Sequence, residues 1–209
     1  MMVVGYKGIR KDGQAVYGNG KKKLKAGVWL EEKKADVAAS GYHFSDNPLV
    51  ALGYYGDPER DTWYLVLADG DIDEDSSGRM TCTRIKLHKE LTLAEMVFAA
   101  MDFIVEHPEN EDCTYGAKIF TECSWQDCPY AIIRAKEPMA RGKMGQLIGM
   151  LEEEPDSTEI RSATLFTVDG ERYKPDTWYT LRKGEVIELN ERKISGNDSV
   201  DGEADEEQE

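Results

Sequence analysis

The stretch "SGYHFSDNPLVALGYYG", residues 40–56, sets the order of elements in the first half of the chain. Residues 41–44 combine a glycine with aromatic side chains, which favours a short strand. Asp46 or Asn47 then suits a helix N-cap, and Pro48 suits the first helical position, where a backbone N–H is not needed. The apolar face that follows holds Leu49, Leu52 and Tyr54 or Tyr55. The stretch therefore predicts a strand followed at once by a short helix over 47–55.

Further along, residues 80–91, "MTCTRIKLHKEL", alternate apolar and polar side chains and predict a strand. Thr92 and Glu95 form a capping-box pattern that begins a helix over 92–106. Phe98 and two other large apolar residues widen its apolar stripe, so we expect this helix to be buried on more than one side. The expected core stripe consists of Leu93, Met96, Val97, Ala100 and Ile104, widened by Phe98, Phe103 and Val105.

Most of the remaining chain has β character. Residues 2–9 form a β-rich run whose Asp-Gly signal predicts a hairpin into 15–18, and "TWYLVLADGDI" predicts a strand that ends in an Asp-Gly turn. Residues 117–135 contain two β-rich runs, and 161–189 indicate a β-meander.

The tetrapeptide Asp-Thr-Trp-Tyr occurs twice, at 61–64 and 176–179. A true repeat extends over a whole structural unit, and the surroundings of these two copies differ. We therefore interpret them as two strand entries and expect Trp63 and Trp178 to be buried in separate sheets or separate parts of one sheet. Trp29, after a lysine-rich connection, is expected to be a buried anchor.

Together these patterns predict an α+β protein with a mixed or antiparallel sheet, two helices in the N-terminal half and a β-rich C-terminal half. The predicted organisation is an N-terminal α+β domain over 1–107, a β-rich region over 108–195 and a disordered acidic tail over 196–209. The tail holds seven acids and no base, so the net charge of −15 falls to −8 when those acids are set aside.

This charge argues against direct binding of nucleic acid, because an acidic surface is repelled by phosphates. Mimicry of nucleic acid toward a basic partner stays open, beside the simpler interpretation that charge keeps the protein soluble. The sequence contains no run of 18 apolar residues, so we expect no membrane span. The first ten residues lack the apolar stretch of a signal peptide. We expect a cytoplasmic protein whose four cysteines are reduced.

Several clusters could hold a ligand, and each has a simpler explanation. Cys113, Cys123 and Cys128, joined by Cys82 or His107, lack the paired spacing of a structural zinc site, so we predict no metal. The acidic runs at 71–75 and 152–156 lack an EF-hand pattern and indicate solvated loops. Glycines 142, 145 and 149 are too loosely spaced for a phosphate loop and indicate tight turns.

His43 is the most interesting polar residue of the opening stretch. A strand end that faces a helix N-terminus suits binding of an anion, because free N–H groups and the helix dipole point there. The alternative is a histidine that fixes a loop by hydrogen bonding. Ser45 and Asn47 are predicted to be caps rather than ligands.

The motifs "GYKGIRKDG", "SGYHFSDNPLVALGYY", "WYLVLADGDI" and "TRIKLHKELTLAEMV" resemble an uncharacterised family of N-terminal domains from bacteriophages and prophages, over roughly residues 4–97. The matching positions are Tyr6, Lys7, Gly8, Gly41, His43, Asn47, Pro48, Tyr54, Tyr55, Lys89, Glu90 and Leu91. Residues 168–189 look like the closing segment of longer phage proteins. The resemblance implies a phage context and leaves the activity open.

The same motifs are distantly similar to the NAD-binding half of ADP-ribosyltransferases. In that family the first motif supplies an Arg or His to NAD, the second a Ser, and a later Glu orients the ribose. Lys7 stands here at the Arg or His position, Ser45 lies where a Ser could, and no Glu is picked out. The ligand-binding candidates under this resemblance are Tyr6, Lys7, His43, Ser45 and Tyr54, with NAD as the cofactor; otherwise no cofactor is expected.

The function that we expect is that of a non-enzymatic phage or prophage accessory protein that binds a host or phage protein. An ADP-ribosyltransferase-like enzyme is the first alternative. A structural accessory protein of the virion or tail is the second.

Overall fold

The computed structural model describes residues 2–15, 23–37, 39–110, 119–120, 122–124 and 128–189. The elements in these segments are β1 (Val3–Arg10), β2 (Trp29–Glu31), β3 (Tyr42–Phe44), α1 (Pro48–Tyr54), β4 (Asp61–Glu74), β5 (Met80–Leu91), α2 (Leu93–Glu106), β6 (Ile119–Phe120), β7 (Glu122–Ser124), β8 (Tyr130–Ala135), β9 (Met139–Arg141), β10 (Leu147–Glu153), β11 (Ile160–Thr167), β12 (Tyr179–Arg182) and β13 (Glu185–Glu188). The predicted α+β class is confirmed, with both helices in the first half and a β-rich second half. The predicted acidic tail over 196–209 lies outside the described residues.

The first sheet has the strand order β1-β4-β5-β2, and β3 also pairs with β5. All its pairings are antiparallel, and β4 and β5 form a long hairpin. A single bridge between Tyr6 and Ser45 then connects β1 to the residue after β3, so the sheet curls back onto its first strand. The partner of β1 is β4, while the predicted hairpin partner at 15–18 lies, apart from Ala15, outside the described part of the chain.

The predicted turn at Asp69-Gly70 is wrong, because β4 continues through it to Glu74. One extra residue of β4 is accommodated between Asp69 and Ile72 as a β-bulge, with Gly70 at a φ of +81°. Glycine tolerates this left-handed conformation without steric cost. The opposite strand supports the bulge, since Thr83 Oγ1 accepts the Asp71 N–H at 2.9 Å.

The second half of the protein forms two four-stranded sheets, with orders β11-β10-β8-β6 and β13-β12-β9-β7. Both mix parallel and antiparallel pairs: β8 runs parallel to β10 and to β6, and β7 runs parallel to β9. The predicted β-meander over 161–189 is therefore wrong as a single unit, because β11 belongs to one sheet and the β12–β13 hairpin to the other.

Both helices begin at the predicted caps. The Asn47 side chain accepts the Leu49 N–H at 2.9 Å, and Pro48 takes the first turn of α1. The capping box of α2 is complete, because Thr92 and Glu95 each accept the other's backbone N–H. Neither helix, nor any other helical part of the described chain, is long and apolar enough to cross a membrane.

Three apolar clusters form the interior. The first joins Trp63 of the opening sheet, both helices and β8 and β10 of the later sheet, so it draws side chains from either side of the predicted boundary at 107. The second fills the curl of the first sheet, and the third lies between the two later sheets. The helices therefore lie between the first sheet and the sheet that contains β10.

The tryptophans differ from expectation in two of three cases. Trp63 is buried as predicted and donates its indole N–H to the Tyr55 carbonyl at 2.6 Å. Trp178 lies beside a separate sheet but is only half-buried, with the Arg141 guanidinium 5.2 Å from the ring centroid. Trp29 is also half-buried and stacks against Arg84 at 4.3 Å. An arginine cover thus replaces full burial at both positions.

Candidate functional site

Two of the predicted site residues are direct backbone partners. The Tyr6 N–H donates to the Ser45 carbonyl at 2.6 Å, and the Ser45 N–H donates to the Tyr6 carbonyl at 3.0 Å. Residues from two sequence motifs that lie far apart along the chain are therefore neighbours. Their meeting point is the bridge that closes the first sheet.

Lys7 points away from Tyr6, because successive residues of a strand face opposite sides. Its side chain is only 6% exposed, and its ammonium group donates to the His43 carbonyl. Burial lowers the pKa of Lys7 to about 8, and the nearby Cys82 thiol opposes that shift. Burial also raises the pKa of Cys82 to about 11. Lys7 therefore lies inside the curl of the first sheet, and its ammonium group is bonded to the backbone carbonyl of His43.

His43 and Ser45 also form hydrogen bonds to the backbone of their own chain. His43 is exposed, and its Nε2 lies 2.7 Å from the Val37 carbonyl, which requires that nitrogen to carry the proton. The buried Ser45 hydroxyl donates to the Gly78 carbonyl at 2.7 Å and accepts the Asn47 N–H at 3.1 Å. These contacts support the interpretation of both residues as loop-fixing groups.

Tyr54 lies at the last position of α1 and faces a different set of neighbours. It hydrogen-bonds Arg79, whose guanidinium also pairs with Asp75. Hydrogen bonds from Ser77 and Arg79 hold the pKa of Asp75 well below its usual range. The hydroxyl of Tyr54 thus contacts the turn between β4 and β5. Its ring and that of Tyr6 both pack on the first apolar cluster.

The structure therefore gathers Tyr6, Lys7, His43 and Ser45 at the closure of the first sheet but does not aim them at one point. Tyr6 faces α2, Lys7 faces the opposite side, and the hydroxyl of Ser45 and ring nitrogen of His43 contact separate carbonyls. What the arrangement can do chemically is limited by these bonds. The Ser45 hydroxyl donates its proton to the Gly78 carbonyl, whereas nucleophilic catalysis requires that proton to be held by a general base.

Glu152 is a buried polar residue for which the predicted position in a solvated loop is wrong. It is only 5% exposed, rather than part of a solvated loop. Its Oε2 accepts the Ser162 hydroxyl and the Lys183 N–H, both at 2.6 Å, and Arg161 lies 3.9 Å from Oε1. The carboxylate therefore joins β10 and β11 to the β12–β13 turn. Its signal was the continuous apolar run of 147–151, which is typical of a strand buried on both faces and leads directly into the three glutamates.

The outer face of α2 differs from the expectation, because Phe98 and Val105, which were predicted to widen its buried stripe, are exposed. Phe98 is 62% exposed and Val105 41% exposed, and Asp102 and Glu106 lie exposed on the same face. The two carboxylates are close enough to Tyr6 to add to burial in raising the pKa of its phenol. We call Phe98, Asp102, Val105 and Glu106 the α2 outer face.

A metal site is not formed by any group of three or more histidine, cysteine or carboxylate side chains in the described segments. Cys82 is buried and Cys128 partly buried, both as free thiols. Cys113 and the side chain of Cys123 lie outside the described residues, so the prediction that Cys113, Cys123 and Cys128, with Cys82 or His107, hold no metal stays a prediction.

Comparison with known proteins gives a match to a family model over the first part of the chain. Residues 3–99 match the family model described as "Domain of unknown function (DUF7666)". The match runs from the start of β1 into α2, and so includes the sheet closure and both helix caps. The search of curated proteins and the search of solved structures found no match.

Proposed function

We propose that this protein is a non-enzymatic accessory factor of a phage or prophage that acts by binding a host or phage protein in the bacterial cytoplasm. The phage context comes from the motif resemblance over residues 4–97, and it is consistent with a matching domain of unknown function over 3–99. The acidic charge favours a protein partner over nucleic acid.

The observation that carries the proposal is the bonding of the candidate site. Lys7, His43 and Ser45 each contact a backbone carbonyl of the protein itself, at His43, Val37 and Gly78 respectively. The buried Lys7 ammonium and Ser45 hydroxyl stabilise the fold through these bonds and are not presented to a substrate. We therefore propose that these residues support binding indirectly, by fixing the shape of the surface that contacts the partner.

The test is affinity capture of the tagged full-length chain from a bacterial lysate, at low and at high salt, with partners identified by mass spectrometry. A protein retained in stoichiometric amount at one or both salt concentrations is the expected result. Salt matters because exposed charges are screened within about 10 Å at 0.1 M salt. Recovery of no specific protein at either concentration contradicts the proposal.

A second candidate function is an NAD-binding enzyme of the ADP-ribosyltransferase type. The direct pairing of Tyr6 with Ser45 favours it, since the two motifs of the resemblance are neighbours in space. Incubation of the protein with labelled NAD and cell lysate, beside a Tyr6→Ala/Ser45→Ala variant, separates the two proposals. Transfer of label or loss of NAD with the wild type alone supports the enzyme, and neither effect is expected for a binding factor.

A further inference from the structure

The α2 outer face combines two apolar side chains with two carboxylates. Phe98, Asp102, Val105 and Glu106 follow the spacing i, i+4, i+7 and i+8, which places them along one side of about two helical turns, or about 12 Å. Phe98 is the most exposed large apolar side chain among the described residues, at 62%. An aromatic side chain on a rigid helix is a typical anchor of a protein interface.

The two carboxylates pair with no cation among the residues that the structure describes. Neither Asp102 nor Glu106 forms an ion pair or a hydrogen bond through its side chain to any residue in the described ranges. Their charges instead act on Tyr6, whose ring lies beside them on the core side. The face therefore presents negative charge next to apolar surface, and a complementary partner presents positive charge next to apolar surface.

Two other occupants fit this chemistry poorly. A second copy of the chain docked by a two-fold axis would place Asp102 and Glu106 of one copy close to the same acids of the other, and like charges repel. The chain's own segment 196–209 carries seven acids and no base, so it is repelled in the same way.

We propose that the α2 outer face is the docking surface for a basic amphipathic segment of a partner protein, with an apolar side chain against Phe98 and Val105 and lysines or arginines against Asp102 and Glu106. This inference rests on the proposed binding function and specifies its surface and the chemistry of its partner. Such a segment lays its apolar side on the helix while its cations flank it, as in known helix-in-groove complexes.

The experiment titrates the full-length chain with a labelled synthetic amphipathic helix made of leucine and lysine, followed by fluorescence anisotropy. A leucine and glutamate helix of the same pattern is the charge control. We expect the basic peptide to bind, the acidic one not to bind, and Phe98→Asp to weaken binding by about tenfold or more. The double change Asp102→Lys/Glu106→Lys is expected to remove binding of the basic peptide and to allow binding of the acidic one.

Matched variants separate this face from general charge attraction. Ile187→Asp alters another exposed apolar residue, 40% exposed on β13, and Glu59→Lys/Glu171→Lys reverses two exposed acids elsewhere. Both are expected to bind the basic peptide within about twofold of the wild type, since they leave the α2 face intact. Failure of the wild type to bind the basic peptide, or equal loss in these controls, overturns the proposal. A wild-type dimer that Phe98→Asp dissociates in sedimentation overturns it too, because a second copy then occupies the face.

Failure here and failure of the proposed function give different results. If Phe98→Asp still captures the lysate partner as well as the wild type does, the function stands and this surface is wrong. If the wild type captures no partner, the proposed function itself fails.

Discussion

The first sheet and the later sheets each meet a helical segment at a glycine, and the two contacts differ in stiffness. Gly8 of β1 faces the ring of Tyr55, directly after α1, whereas Gly149 of β10 faces the flexible Met101 of α2. Tyr55 is itself held by Trp63, which donates to its carbonyl. The contact at Gly8 is thus with a rigid aromatic side chain, and the contact at Gly149 is with a side chain that can adjust.

The buried charges of the two regions differ in a parallel way. Lys7 in the first sheet donates a hydrogen bond to the His43 carbonyl and pairs with no carboxylate in the described part of the chain, and burial lowers its pKa. Glu152 in the later sheets has a hydroxyl, a backbone N–H and an arginine nearby. A buried charge with few partners destabilises the fold as it stands. A buried charge with several partners destabilises the fold only when one of those partners is removed. Four predictions test this contrast, from the largest effect to the smallest.

The largest expected effect is that of Gly8→Ala. A Cβ at position 8 would overlap the Cβ and ring of Tyr55, which cannot move without disturbing Trp63. We expect a loss of roughly 3 kcal/mol or more in the free energy of unfolding, measured by urea denaturation. Gly149→Ala is the matched change, since its Cβ would lie 2.5 Å from Met101 Sδ and that side chain can rotate away. A loss for Gly149→Ala as large as that for Gly8→Ala would remove the contrast in stiffness.

Lys7 gives the second effect, through pH. Its pKa is about 8 when folded and 10.5 when unfolded, so between those values the unfolded chain holds a proton that the folded chain lacks. The wild type should therefore gain stability as pH rises from 8 to 10.5, by up to about 3 kcal/mol, and Lys7→Met should lack this gain. Lys11→Met, at an exposed position, is expected to keep it.

Cys82 titrates in the same range and interacts with Lys7, so the comparison is made in a Cys82→Ala background. The raised pKa of Cys82 lowers stability as pH rises above the normal thiol value, and Cys82→Ala removes that contribution from both proteins. The measurement is the difference in unfolding free energy, at each pH, between the Cys82→Ala protein with Lys7 and the same protein with Lys7→Met. A constant difference across the window shows that Lys7 is not destabilised by burial.

Glu152→Gln gives a smaller effect on the other side of the comparison. Loss of the charge weakens the bonds from Ser162 and Lys183 and leaves Arg161 without its counter-charge. We expect a loss of about 2 kcal/mol in thermal or urea unfolding, as for hydrogen bonds to charged groups. Glu159→Gln is the control at an exposed position and should change the free energy of unfolding by less than about 0.5 kcal/mol. Equal effects for both would show that Glu152 is solvated, as the sequence alone suggested.

The smallest effect concerns the cap of α2. Thr92→Ala removes the acceptor of the Glu95 N–H, and we expect a loss of about 1 kcal/mol in the free energy of unfolding. Thr92→Ser keeps the hydroxyl and should recover most of that loss. A Ser variant as unstable as the Ala variant would mean that the threonine methyl group, rather than the cap, stabilises the helix.

Local signals explain what could be predicted of the fold. The N-caps at Asn47 and Thr92 and the alternation of 80–91 depend on neighbours in the sequence, and all three are present in the structure. The bulge at Gly70 was missed because its cause lies on the opposite strand, at Thr83. The parallel pairing of β8 with β10 and the burial of Glu152 likewise depend on segments far apart along the chain. Local patterns do not carry that information.

The candidate site shows the same division. That Tyr6, Lys7, His43 and Ser45 lie in one region could be predicted from a shared motif pattern, and the structure places them at one sheet closure. That Lys7, His43 and Ser45 bond to separate carbonyls could not, because the acceptors at Val37 and Gly78 come from loops with no motif. The α2 outer face was hidden for the opposite reason: Phe98 looks like core in any apolar pattern.

The most direct test of the account is partner capture compared between Ser45→Ala and Phe98→Asp, each checked for folding by circular dichroism. The account assigns Ser45 to the scaffold and Phe98 to binding. It predicts that Ser45→Ala unfolds more easily but, while folded, retains the partner, and that Phe98→Asp keeps wild-type stability but loses the partner by about tenfold or more. The contradicting result is a folded Ser45→Ala variant that loses the partner together with a Phe98→Asp variant that keeps it. That result would place the binding site at the closure of the first sheet.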